Sequence, residues 1–202
     1  MNTSHYPTLP LIKQPAPFTN PDWLFEIKYD GFRSLAFIES ETCTLVSRKG
    51  TVYTRFKRLA AALSRLPGPT ILDGEIACVD DEGRTQFNDL MFANAPAHFF
   101  AFDILLLDDV DLRDEPCIVR KQKLQDAIQI DIPRLHYVDH VEGAGEKLFD
   151  LVCGQDMEGI VAKPTASPYR EQNGKTPWIK IKNTEYSQAE GRGDWFNADA
   201  GT

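Results

Sequence analysis

Over most of this 202-residue chain, apolar and polar positions alternate in short stretches, and helical spacing appears in only a few places. W-L-F-E-I-K (23–28), R-S-L-A-F-I-E (33–39) and C-T-L-V-S-R (43–48) read as strands. Asp30-Gly31 and E-S-E-T (39–42) divide them, which predicts an antiparallel meander. From Arg55 to Leu66 the period changes: Phe56, Leu59, Leu63 and Leu66 share a helical face, and Pro67-Gly68-Pro69 stops it. Strands resume in T-I-L-D-G-E-I-A-C-V (70–79), turned by D-D-E-G, and in H-F-F-A-F-D-I-L-L-L (98–107). Pro116 suits the first turn of a helix running to about Ile128, and Gly145 to Val152 predicts another, ended by Gly154. The last strands are E-G-I-V-A-K (158–163) and W-I-K-I-K (178–182). Hairpins with inserted helices argue for an α+β fold of antiparallel sheets rather than a doubly wound parallel sheet.

Three segments follow from the same pattern. Residues 1–21 carry five prolines, which remove amide donors and fix φ, so they form an extended lead-in. Residues 22–183 form the core domain. Residues 184–202 are polar, with Tyr186, Trp195 and Phe196 as the large side chains to bury, and are too short for a second domain. Whether Arg192, Trp195 and Phe196 dock on the domain or on another protein is open at this stage.

Composition narrows the function. Thirty acidic against 22 basic residues give a formal charge of −8. A large nonspecific nucleic-acid surface is normally basic, so any such contact is local or supplied by a partner. Cys43, Cys78, Cys117 and Cys153 lie far apart in apolar or strand-like settings and read as reduced thiols of a cytoplasmic protein. No secretory signal pattern and no apolar run of membrane-spanning length is present, so a membrane partner is not expected. A monomer is expected.

Four features carry possible chemistry. Lys28, in K-Y-D-G-F-R (28–33), ends a strand beside a turn, with Arg33 just beyond. Partial burial and neighbouring cations activate a lysine as a nucleophile, although an exposed lysine beside a hairpin turn has the same pattern. Lys180 and Lys182 project from one strand face about 7 Å apart, a pair suited to a polyphosphate or to a solvated edge strand. Glu75 in L-D-G-E and Glu158 in M-E-G-I are placed at the starts of strands beside a glycine that lets a ligand approach. Such carboxylates ligate a hard divalent ion, bond a ribose hydroxyl, or simply face solvent. Phe100 and Phe102 share a face opposite Phe99, where they stack on a base or fill the core.

Taken in order, K-Y-D-G-F-R (28–33), S-R-K-G (47–50), L-D-G-E (72–75), F-F-A-F-D (99–103), E-G-I-V-A-K (158–163) and W-I-K-I-K (178–182) resemble the adenylation (nucleotidyltransferase) domain of ATP-dependent DNA ligases. The likeness is to the bacterial end-joining ligase D type and spans about residues 9 to 183. It implies the ligase and capping-enzyme nucleotidyltransferase fold, which is ATP-grasp-like. It also implies ATP as substrate, Mg²⁺ or Mn²⁺ as metal and nicked DNA as partner. By this resemblance Lys28 would form a lysyl-AMP intermediate. Glu26 would contact the adenine amino group and Phe102 would stack on the base. Glu75 would bind the ribose, with Arg33 and Arg48 near the ribose, the phosphate or the nick. Lys163 would belong to the nucleotide-binding set, Lys180 and Lys182 would hold the α-phosphate, and Glu75 and Glu158 would be associated with metal. Family ligases continue into an OB-fold domain beyond the last motif, where this sequence has about twenty residues. A separate OB-fold or DNA-binding partner is therefore expected. Two other functions fit the same pocket: a non-catalytic adenylate-binding repair scaffold, and an enzyme like RNA ligases or GTP-using capping enzymes.

Overall fold

The computed structural model describes residues 5–189. Its strands are β1 (Ile12–Lys13), β2 (Trp23–Ile27), β3 (Phe32–Glu39), β4 (Thr42–Ser47), β5 (Thr70–Ala77), β6 (His98–Leu107), β7 (Val110–Asp111), β8 (Leu135–Tyr137), β9 (His140–Glu142), β10 (Gly159–Pro164) and β11 (Ile179–Lys182). Its helices are α1 (Lys57–Leu63), α2 (Phe87–Phe92), α3 (Cys117–Ala127) and α4 (Gly145–Gly154).

Two sheets form. The first runs β1-β11-β10-β2-β9, antiparallel except for the β1–β11 pair. The second runs β4-β3-β5-β6-β7, with β8 added parallel to β6. The fold is α+β, as the alternation predicted.

The meander expected from residues 23–48 is only half present. β3 and β4 form the hairpin, but β2 lies in the other sheet, between β10 and β9. Leu24, Phe25 and Glu26 are all buried, so β2 is a central strand that needs a partner on each edge, and the distant β10 and β9 supply them. The Asp30-Gly31 turn therefore carries the chain from one sheet to the other. Asp30 is buried there and accepts a hydrogen bond from the Tyr186 hydroxyl at 3.0 Å.

Helices cover the outer faces. Leu59 and Leu63 of α1 and Leu124 of α3 pack with Ala36, Leu72, Ile76, Phe99 and Ile104 of the second sheet. Val152 of α4 packs with Phe25, Ile160 and Ile181 of the first. Each fully buried Leu, Ile or Phe contributes roughly 1.5–3 kcal/mol, so these two layers hold each sheet rigid behind its inner face. Ile12–Lys13, in the proline-rich lead-in, pairs with the edge of β11, and Leu9 is buried. Cys78 and Cys117 are buried, Cys43 and Cys153 are partly so, and all four are free thiols. The expectations for Arg192, Trp195 and Phe196 lie outside the described residues. Among those described, no helix is long and apolar enough to cross a membrane.

Candidate active site

A cleft opens between the inner faces of the two sheets. Its walls include Glu26 of β2, Lys28 and Tyr29 of the crossing turn, Arg33 of β3, Glu75 of β5, Phe102 of β6, Lys163 of β10 and Trp178 just before β11. Counting the solvent space at its open mouth, the cleft holds about 420 Å³.

Lys28 stands where the first sheet releases the chain. Its amide still bonds the Gly159 carbonyl, which fixes its backbone as a continuation of β2. Its Nζ lies 2.6 Å from Glu158 Oε2, while Lys182 Nζ lies 2.8 Å from Oε1 of the same carboxylate. The lysine at the turn and the lysine on the final strand are thus brought together across one anion. Burial alone would raise the Glu158 pKa, but Lys28 and the hydrogen bond from Lys182 hold it below the usual range. Lys180 is shifted down, first by burial and then by Lys182 and Lys28. Arg48, exposed in the turn after β4, adds to that depression of Lys180.

Glu75 sits within β5, opposite Arg33 and Phe100, and not at the strand's start. Burial pushes its pKa from 4.5 up to about 7, against the pull of Lys28 and Arg33 and with the help of Glu158 and Asp73. Because the folded state holds this proton more tightly than the unfolded chain, stability is expected to fall as pH rises between about 4.5 and 7. Thermal melts across that window test this. In Glu75→Gln the slope should flatten, and an unchanged slope would remove Glu75 as its source.

The glycines beside the two glutamates serve the fold. A Cβ at Gly74 would meet the Phe99 ring at 2.4 Å, and one at Gly159 would meet the Ile181 carbonyl at 2.1 Å. The expected ligand approach at these positions is replaced by close packing of the protein on itself.

Phe102 occupies a β-bulge. β5 pairs Gly74 with Ala101 and Asp73 with Asp103, so Phe102 has no partner between them. A bulge of this kind re-aims a side chain, and here the ring lines the cleft. Arg33 lies against it, 5.4 Å from the ring centroid. The Arg33 donors are committed within the protein: Nε and Nη2 to Asp73 at 3.1 and 2.7 Å, and Nη1 to the Leu9 carbonyl. Lys163 donates to the Phe102 carbonyl at 3.1 Å and lies 2.6 Å from Glu26 Oε2.

Several residues escaped the sequence reading. Tyr29 stacks on Phe100 with centroids 4.1 Å apart. Asp73 receives Arg33 and the Tyr169 hydroxyl. Arg120 pairs with Asp103 and Lys121 with Glu26, and all four are buried. A signal for the last two exists: Cys117, Arg120, Lys121 and Leu124 form the buried stripe of α3, so two charges occupy positions where a helix normally places apolar residues.

Among the described residues no group of three or more His, Cys, Asp or Glu side chains forms a metal cage. Glu75 and Glu158 do act on each other electrostatically. Glu75 on the cleft wall, with Glu158 beside the cleft, suits Mg²⁺, which binds through one or two carboxylates together with substrate phosphates.

A second groove, outside this cleft, is lined by Arg55, Lys57, Arg58 and Arg134, with Asn94 and Pro96 and without a carboxylate.

The profile of the ATP dependent DNA ligase domain matches residues 11–182. The chain belongs to this family. The ligase domain is 30% identical over 202 residues to the bifunctional non-homologous end joining protein LigD of Bacillus subtilis strain 168, covering 83% of this chain and 32% of that protein. It is 32% identical over 198 residues to DNA ligase C of Mycobacterium tuberculosis, covering 88% and 54%. It thus spans about a third of the first relative and about half of the second. Its fold matches the mycobacterial DNA ligase D complexed with ATP and MES, at a TM-score of 0.77 and 24% identity, over 91% of this chain and 62% of that one. The ligase domain of M. tuberculosis LigD matches at 0.71 and 25% identity, over 87% and 60%.

Proposed function

We propose that this ligase domain carries out ATP-dependent self-adenylation at Lys28 and passes the AMP to the 5′-phosphate of a DNA nick. The observation that carries this reading is the pairing of Lys28 and Lys182 on the two oxygens of Glu158, beside a cleft lined by Phe102, Glu75, Glu26 and Lys163.

Phe102 supplies a face for the adenine, Glu26 an acceptor for its amino group, and Glu75 an acceptor for the ribose. Lys28, whose side chain keeps contact with solvent, loses its proton to water, and the Glu158 carboxylate orients its nitrogen. Its nitrogen pair then bonds the α-phosphorus, the bond to the bridging oxygen breaks, and pyrophosphate leaves with that electron pair. Lys180 and Lys182 face the charge that builds on the α-phosphate, where fixed cations are most effective. In the second stage a 5′-phosphate oxygen takes the AMP from Lys28, and a 3′-hydroxyl then displaces AMP to close the strand. Mg²⁺, held by Glu75 and Glu158, would neutralise phosphate charge when bound.

ATP labelled at the α-phosphate is expected to leave a covalent label on the protein, and ATP labelled at the γ-phosphate none. Absence of label from α-labelled ATP with either Mg²⁺ or Mn²⁺ would remove the enzymatic reading in favour of an adenylate-binding scaffold. Sealing of nicked RNA in preference to nicked DNA would change the substrate class.

The basic groove offers the local nucleic-acid contact that a chain of charge −8 requires. Four cations make a small footprint beside the 6–10 phosphate contacts of an autonomous binder. We therefore assign the rest of the duplex clamp to a separate OB-fold or DNA-binding partner. Replacing Lys57, Arg58 and Arg134 together with alanine should flatten the salt dependence of nicked-duplex binding by about 2–3 log units per log unit of salt, while α-label transfer stays at the wild-type level. An unchanged salt slope would exclude the groove from DNA contact.

A further inference from the structure

Glu26 is 2% exposed and carries a lysine on each oxygen. Lys163 Nζ, which faces the cleft, lies 2.6 Å from Oε2, and Lys121 Nζ lies 2.8 Å from Oε1. Lys121 takes no part in the cleft wall. It reaches Glu26 from behind, out of α3, is fully buried, donates to the Val138 carbonyl at 2.6 Å and lies 4.2 Å from the centroid of the Tyr137 ring.

Burying an ammonium costs several kcal/mol before its partners compensate. Leucine at this stripe position would pack without that cost, so stability alone does not explain the lysine. Glu26 already has one counter-charge in Lys163, and the second leaves the group with a surplus positive charge.

The geometry of the Glu26–Lys163 pair gives Lys121 a purpose. At the cleft a carboxylate oxygen stands beside an ammonium, an acceptor next to a donor. The Watson–Crick edge of adenine has the matching order, an amino donor at N6 beside an acceptor at N1. Guanine has the reverse, an acceptor at O6 beside a donor at N1. The match holds only while Glu26 stays ionised and fixed. When Lys163 turns toward a base, the ion pair at Oε1 is the one that remains.

We propose that Lys121 is a positioning residue that holds Glu26 as a fixed acceptor from behind the cleft, and thereby sets the preference for adenine over guanine. This rests on the nucleotide reading of the cleft given above.

The test is label transfer from ATP and from GTP to the full chain, as wild type and as Lys121→Gln, Lys121→Met and Lys121→Arg. Lys121→Gln keeps a donor for the Val138 carbonyl and is the variant chosen to preserve the fold, which melting curves check. Its KM for ATP should rise about tenfold or more, and its ATP-over-GTP ratio should fall by a similar factor, as when a recognition group loses its buried support. The rate at saturating ATP should change little, because binding and not chemistry is affected. Lys121→Met should behave the same or worse, and Lys121→Arg should recover most of the ratio. A folded Lys121→Gln protein with wild-type KM and ratio, or one that loses only saturating rate or melting temperature, would overturn the proposal. If the wild type takes no label at all, the adenylation reading fails. Calorimetry with AMP and GMP then still measures the base preference of wild type against Lys121→Gln and decides the role of Lys121 separately.

Discussion

Lys28→Ala is expected to abolish covalent transfer of label from α-labelled ATP, a loss of about 10⁴-fold or more, the scale seen when a covalent nucleophile is removed. Lys163 is buried and held by Glu26 and the Phe102 carbonyl, and Lys182 lies on the far oxygen of Glu158. The variant should still fold, since the Lys28 side chain lies at the cleft wall and its backbone bond to Gly159 does not depend on it. Nucleotide binding should persist, because the base and ribose contacts lie on other residues. Persistent label in Lys28→Ala would move the nucleophile elsewhere.

The largest expected stability effect lies outside the cleft. Asp103 and Arg120 are both fully buried and joined by two hydrogen bonds of 2.8 Å, while Arg120 also donates to the Glu115 and Ser167 carbonyls. Burial opposes the Asp103 charge, yet Arg120 holds its pKa below the ordinary value, so the pair's contribution is present at neutral pH and fades as pH falls through the acid range. Asp103→Asn leaves the guanidinium buried without a counter-charge and should cost about 3–5 kcal/mol. For a chain of this size that lowers Tm by roughly 6–20 °C. Because Arg120 and Lys121 are consecutive on α3, ATP binding should weaken as well. Calorimetric unfolding of the variant measures the first effect, and a Tm within 2 °C or so of wild type would show the pair to be energetically neutral.

Most of the fold was legible in the sequence where one periodicity dominates. β3 to β6, α1 and α3 sit close to where alternation or helical spacing puts them. What the pattern could not show was which strands pair. A run such as W-L-F-E-I is compatible with a hairpin to the next strand and with a central place in a different sheet, and only the distant β9 and β10 decide it. The short strands β1, β7, β8 and β9 are two or three residues long and carry no periodic signal.

The candidate site divides in the same way. Lys28, Glu75, Phe102, Glu158 and Lys182 stand in motifs whose order carries the resemblance, and the fold gathers them at one cleft or on the shared carboxylate beside it. The ion pairs behind them join residues tens of positions apart, as in Arg33 with Asp73 and Glu26 with Lys121. Nothing local marks such a pair. Nor does alternation reveal the bulge at Phe102, because a bulge is a property of two strands together.

Mass measurement of the intact protein after incubation with ATP and Mg²⁺, followed by mapping of the modified peptide, tests the central assignment without any DNA. Self-adenylation at the cleft predicts a gain of one adenylyl group, located on Lys28. An unchanged mass, or an adduct on any other residue, would contradict it.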